Sequence, residues 1–221
     1  MPEPVITARQ LPRGRHGLPR ETVVATQRER ILSAMAEVMA ENGYVKTSVA
    51  TIIKRARVSR ETFYEQFRSK EDCFEAAYER AVELLIANMS KMTDAQQDSS
   101  VDREPVDREQ RLDRVLHAYL EGVAVQPAYA RLYLVEVYAV GPRAITRRAM
   151  LQQTFVNLLA EILDAHTEEQ RFAVRTLVAA ISAMVTARIA EEDLDGLRAL
   201  REPIVEMVRR GGELYGDNIK R

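Results

Sequence analysis

A chain of 221 residues, 46% hydrophobic and 29% charged, is long enough for one large or two small domains with a substantial core, and too apolar for wholesale disorder. Its single cysteine, Cys73, excludes a disulfide framework and a cysteine-based zinc site, as a reducing cytoplasm would favour; the plain reading of that residue is a small buried side chain on a helix. The formal net charge of −1 is unevenly spread: Arg9 to Lys70 holds 13 Lys/Arg against 6 Asp/Glu, while residues 71–221 carry −7, so a segment suited to phosphate precedes an acidic remainder.

No apolar run approaches the roughly 18 residues of a membrane span, and charges occupy the place of a signal-peptide stretch, so a soluble, cytoplasmic protein without a membrane partner is expected. Residues 1–21 read as a basic flexible arm, with two prolines and two glycines between Leu11 and Glu21. Within it Arg13-Gly14-Arg15 is similar to the core of an AT-hook, where arginines flank a glycine so that the backbone lies deep in a narrow minor groove. Loose phosphate attraction and an inert tail fit the same residues. Glu21-Thr22 to Asn42-Gly43 then reads as a first helix with Ile31, Met35 and Val38 forming an inward stripe.

The stretch TSVATIIKRARVSRETFYEQFRSKEDCF, Thr47 to Phe74, predicts two short helices and the start of a third. Thr47 or Ser48 caps the first, whose Val49, Ile52, Ile53 and Ala56 recur at helical spacing. After Arg57 and Val58, Ser59 caps a second, with Phe63 and Phe67 at i and i+4 on its inner face. Ser59, Arg60, Glu61, Thr62, Tyr64 and Gln66 are left outward, the pattern of a helix-turn-helix whose second member enters a major groove. Val58-Ser59, Thr62-Phe63-Tyr64, Phe67 and Ser69-Lys70-Glu71-Asp72 together resemble the DNA-binding domain of the TetR family of bacterial repressors, over roughly Gln27 to Tyr78. That family usually has Gly where this chain has Arg57. A positive φ there costs about 1–2 kcal/mol with a Cβ present. The arginine either reaches a phosphate or simply faces solvent.

The roles in DNA binding follow from position. Thr47 and Ser48 lie at a helix N-terminus suited to phosphate, and the resemblance implies backbone contact for Tyr64 and Lys70. Arg60, Glu61 and Thr62, in the first turn of the reading helix, should face base edges, with Arg60 preferring guanine. Val58, Phe63 and Phe67 read as core.

Ser69-x-x-Asp72 resembles a capping box opening a long helix to about Met92, and Thr93 to Gln110, with Pro105, reads as a flexible loop. Helix-compatible recurrence follows over Arg111–Val125, Ala128–Val140, Arg143–His166, Glu168–Glu191 and Leu197–Glu213. The fold class is therefore all-α, of about nine helices: a three-helix DNA-binding domain over 22–70 and a C-terminal helical domain over 71–221. The resemblance implies that this second part binds a small-molecule effector and forms a homodimer on an operator in double-stranded DNA. Leu177, Ala180, Ile181, Met184, Val185, Arg188, Ile204, Val205 and Val208 form stripes that fit a bundle within one chain or across a two-fold axis; the resemblance favours the axis. Tyr119, Tyr129, Tyr133, Glu136, Tyr138 and Met150 are the candidate lining of an effector cavity, against ordinary packing.

His117 and His166 have no partners at metal-ligand spacing, so no metal or cofactor is expected. No nucleophile–base constellation, Gly-rich phosphate loop or HExxH occurs, which argues against an enzyme. The expected function is a dimeric transcriptional regulator, a repressor released by an effector. The alternative is an architectural DNA-binding protein without ligand control.

Overall fold

The computed structural model describes residues 19–98 and 107–216, which form helices and short connections with no strand among them. Arg13 and Arg15 of the arm lie outside the described residues. Helix α1 spans Arg20–Lys46 but is broken at Gly43, whose φ of 74° and ψ of 160° suit a residue without a Cβ. The regular helix thus ends where Asn42-Gly43 predicted, and Ile31, Met35 and Val38 are fully buried. Helices α2 (Val49–Ala56), α3 (Arg60–Gln66) and α4 (Lys70–Asp98) follow.

Helix α4 runs past Met92, so Thr93–Asp98 is helix and not the start of a loop. Each further residue in a nucleated helix adds a hydrogen bond, and nothing in Thr93–Asp98 breaks the ladder. Helix α5 (Arg108–Val125) likewise begins before Arg111, because Asp107 caps it by accepting from the Arg108 N–H at 2.6 Å. Helix α6 is a continuous rod of three pieces, α-helical Pro127–Arg131, a π-helical turn Leu132–Glu136, and α-helical Val137–Val140. Helix α7 spans Pro142–Ile162, and α8 spans Glu168–Ala190 behind a complete Thr167/Gln170 capping box. Helix α9 comprises Leu194–Ala199 and Arg201–Gly211 joined through helical Leu200. Counted in this way, the described residues form nine helices, as expected.

Helix α1 packs on α2, α4 and α6, α4 lies along α5, and α7 lies along α8, around one continuous core from Ile31 to Val208. The core thus runs without a gap across residue 70: Phe74, on α4, meets Tyr44 edge-on with centroids 5.8 Å apart.

Two expectations about the C-terminal half need correction. Helix α8 does have the length and composition of a membrane span. Its apolarity serves the core instead, since Val174, Leu177, Val178, Ile181, Val185 and Ile189 are all buried within the chain. For the same reason Leu177, Ile181, Val185, Ile204 and Val208 are not available to a second copy, and Met184 and Val205 pack against that core. Arg188 is tied to Asp193 at 3.0 Å and Glu191 at 3.4 Å. Of the nine residues assigned to an interface, Ala180 alone is in the exposed class. Periodicity marks a helix's apolar side; it does not say whose apolar surface meets it.

Candidate nucleic-acid interface and buried cavity

The reading unit is assembled by caps and a small aromatic core. Ser48 Oγ accepts from the Thr51 N–H at 3.1 Å, and Ser59 Oγ accepts from the Thr62 N–H at 3.0 Å, so each short helix starts on a hydroxyl. Phe63 is fully buried and Phe67, the C-cap of α3, lies 5.6 Å from it ring to ring; burial of each contributes roughly 2–3 kcal/mol. With that face inward, Arg60, Glu61, Tyr64 and Glu65 are exposed. The Arg60 guanidinium lies 5.4 Å from the Tyr64 ring centroid, which holds the long side chain against the helix.

The turn between α2 and α3 places Arg57 at φ 55° and ψ 46°, the left-handed conformation its position suggested. Arg30, on α1, donates to the carbonyls of Ala56 and of Arg57, the latter at 2.9 Å. These are end-of-helix acceptors without intrahelical partners, so the clamp offsets part of the strain. The side chain of Arg57 itself is exposed.

Four assigned DNA contacts look different in three dimensions. Thr47 is buried, and its hydroxyl donates to the Gly43 carbonyl at 2.8 Å, so its side chain braces the α1 kink and does not meet a phosphate. Lys70 is half-buried; its Nζ donates to the Tyr44 carbonyl at 3.1 Å and sits 3.9 Å from the Tyr44 ring centroid. Gln66 is half-buried, with Oε1 enclosed and lacking a hydrogen-bond partner. Thr62 is half-buried beside the Ser59 hydroxyl. Ser48, Arg57, Ser59, Arg60, Glu61 and Tyr64 stay on the surface. Lys46, Lys54 and Arg68, outside the motif's matched positions, are also exposed; their place in the basic segment is the sequence signal that marks them. Arg55, by contrast, is bound to Glu37 at 3.1 Å and Glu41 at 2.6 Å.

Behind the reader, α5, α6, α7 and α8 enclose a cavity of about 40 Å³, lined by Leu112, Leu116, Tyr119, Tyr133, Leu134, Arg148, Leu151, Phe155, Leu159 and Ser182 among others. Tyr119 and Tyr133 are the two of the six expected residues that line it. Tyr129 is buried elsewhere in the core, Tyr138 and Met150 are exposed, and Glu136 points to the reader. Burial pushes the Tyr119 phenol up to about 12 and the Tyr133 phenol well above its ordinary value, so both are hydroxyls at neutral pH. Arg148 was not foreseen. It is 6% exposed, and its Nη2 donates to Ser182 Oγ at 2.5 Å. An arginine among apolar residues on a helix is ambiguous in sequence, because a long stem can also carry the charge to solvent.

Reader and cavity are joined at α6. Its π turn carries Tyr133 and Leu134 on the cavity wall, and Glu136, whose Oε2 accepts from the Tyr44 N–H at 2.8 Å. Glu136 is buried and lies 3.6 Å from Arg131 Nε. Tyr44 follows Gly43 directly, its carbonyl held by Lys70 and its hydroxyl donating to Glu71 at 2.9 Å. The last turn of α1, which leads into α2, is thus tethered to the cavity wall through one side chain.

An N-capped reading helix packed on α1 and α2, with polar side chains outward, defines a helix-turn-helix protein of all-α build. Residues 31–77 match the family described as bacterial regulatory proteins, tetR family. Solved structures share the fold over most of the chain. A TetR-like transcriptional regulator from Rhodococcus sp. RHA1 is 19% identical, with a TM-score of 0.65 over 88% of this chain and 99% of that one. The fatty acid degradation regulator FadR from Bacillus halodurans is 21% identical, with a TM-score of 0.62 over 86% and 99%. The regulator FadR from Bacillus subtilis, in complex with stearoyl-CoA, is 20% identical, with a TM-score of 0.64 over 81% and 96%. No curated protein matches the sequence.

Proposed function

We propose that this chain is a homodimeric, sequence-specific transcriptional regulator that places α3 in the major groove of an operator and is released by a small molecule entering the α5–α8 cavity, acting as a repressor in the cytoplasm. The observation that carries the reading is the exposed face of α3. Arg60 suits guanine and the carboxylates of Glu61 and Glu65 suit the amino group of cytosine, so the helix is built to discriminate bases. Two glutamates against one arginine make it a poor general phosphate binder, and attraction falls to the flanking Lys46, Lys54, Arg57 and Arg68.

The tether from the cavity wall through Glu136 to Tyr44 supports effector control, because a ligand that moves α6 acts on the end of α1 that leads into α2. Dimerisation is read on the outer face of α8. Thr176, Ala179, Ala180, Ala183 and Ala187 are exposed there beside Phe172, which is 64% exposed. A flat face of small residues permits close approach of its two-fold copy.

Fluorescence anisotropy with duplexes from the DNA flanking the gene, against scrambled duplex over a salt series, tests the reading. Selective binding surviving ~200 mM salt is the expected result. Arg60→Ala should then lose ~1–3 kcal/mol and relax preference at one base pair. Equal, salt-sensitive binding to every duplex, including the gene-flanking ones, favours the architectural role.

A further inference from the structure

Arg148 is a buried guanidinium with no carboxylate to answer it. Among the described residues no acidic side chain is within ion-pair distance of it; its neighbour Arg147 takes Glu79, at 2.8 Å. Its Nε is fully enclosed and has no hydrogen-bond partner, and neither has the buried hydroxyl of Tyr133, on the same cavity wall. The groups that bear on Arg148 electrostatically are the phenols of Tyr78, Tyr119 and Tyr133, all held as neutral hydroxyls by burial. A charge taken out of water without an opposite charge is costly, and proteins retain such an arrangement where something else supplies the partner. The rest of the wall, Leu112, Leu116, Leu151, Phe155, Leu159, is apolar.

We infer that the cavity takes a carboxylic acid with an apolar body, its carboxylate on the Arg148 guanidinium and the Tyr133 hydroxyl. This rests on the cavity being the effector site and adds the chemical class of the effector. A carboxylate supplies acceptors to Nε and to the phenol at once and neutralises the buried charge; an alcohol or an amide satisfies the hydrogen bonds and leaves the charge. The enclosed 40 Å³ holds roughly three waters, enough for a carboxyl group, so the apolar body enters by parting Leu151 and Phe155 from the opposite wall. Parting α7 from α5 and α6 displaces the π turn that carries Tyr133 and Glu136.

Calorimetric titration of the full chain with octanoate, octanamide and 1-octanol tests the head group, with stearoyl-CoA as a thioester lacking a carboxylate. Saturable octanoate binding about tenfold or more tighter than the amide and alcohol is expected. Arg148→Met should bind acid and alcohol alike while melting no lower than the parent, because it loses an unpaired buried charge; Tyr133→Phe should narrow the preference severalfold and keeps the test open should the first variant misfold. Equal affinity for acid and alcohol, an acid preference surviving in Arg148→Met, or binding of stearoyl-CoA but of no free acid of any chain length would overturn the assignment. The anisotropy assay separates the two readings. Acid that binds without releasing DNA upholds the site and removes the regulatory role, whereas selective DNA binding by a chain that takes no carboxylate upholds the regulator and removes this ligand.

Discussion

Arg57 holds a left-handed backbone that costs a side chain about 1 kcal/mol or more, and Arg30 helps hold it by binding the two carbonyls at the turn. Arg57→Gly should therefore stabilise the protein, by about 0.5–1 kcal/mol after the added freedom of the unfolded chain is subtracted, which a urea midpoint will show. If the arginine reaches a phosphate, the same variant lowers the salt slope of DNA binding by ~1. Cys73 presents the opposite case of a reactive group silenced by burial, its thiol pushed up to about 12. At pH 8 it should resist thiol reagents until denaturant opens the core, and fast labelling of the native protein would contradict the burial. Raised acid groups also fix a sign: the folded state keeps protons that the unfolded state gives up, so stability should fall as pH climbs from ~8.5 toward 12. The buried tyrosines act in the same direction.

At the scale of elements, the π turn of α6 is the piece that joins the cavity wall to the reader. An extra residue per turn bulges Leu132–Glu136 so that Tyr133 faces the cavity while Glu136 reaches Tyr44. Gly43, just before Tyr44, is required by its φ of 74°; a Cβ there would meet Glu136 Oε2 at 3.4 Å, an ordinary contact, so the cost of a side chain is backbone strain. Glu136→Ala leaves the buried Tyr44 N–H without its acceptor and removes the carboxylate beside Arg131, so it should cost roughly 2 kcal/mol in chemical denaturation; Glu136→Gln, which keeps an acceptor oxygen, should cost less. Equal losses would mean that the charge, and not the hydrogen bond, matters. The exposed surface of α3, Arg60, Glu61, Tyr64 and Glu65, is held differently, by the Ser59 cap and the buried Phe63 and Phe67, so its folding should tolerate change on that outer side.

For the whole molecule the proposed dimer turns on which face would meet a second copy. The inner stripe of α8 is spent within the chain, and the exposed small-residue face remains. Ala183→Glu places a carboxylate against its own two-fold image and should shift sedimentation from dimer to monomer without unfolding the chain. Val185→Glu, aimed into the core, should unfold it. An unchanged dimer in Ala183→Glu would move the interface elsewhere. A monomer would in turn lose most operator affinity, because two half-sites are no longer bound together.

The amino-acid sequence alone was sufficient for what is local. Ser48, Ser59 and Thr167 cap helices through atoms three residues away, Gly43 and Arg57 take the conformations their turns require, and the Phe63/Phe67 spacing sets the inner side of α3, so the helices and the exposed residues of α3 were legible before any tertiary contact was known. Helix ends drifted where continuation is favourable by a small margin, as at Thr93 and Arg108. What only the tertiary structure decided was partnership: that Thr47 and Lys70 serve Gly43 and Tyr44, that the α8 stripe packs inward, that Glu136 reaches back to α1, and that Arg148 stands unpaired beside Tyr133. These depend on residues far apart in the chain meeting in space, and a helical period specifies a direction about an axis without specifying the neighbour found there.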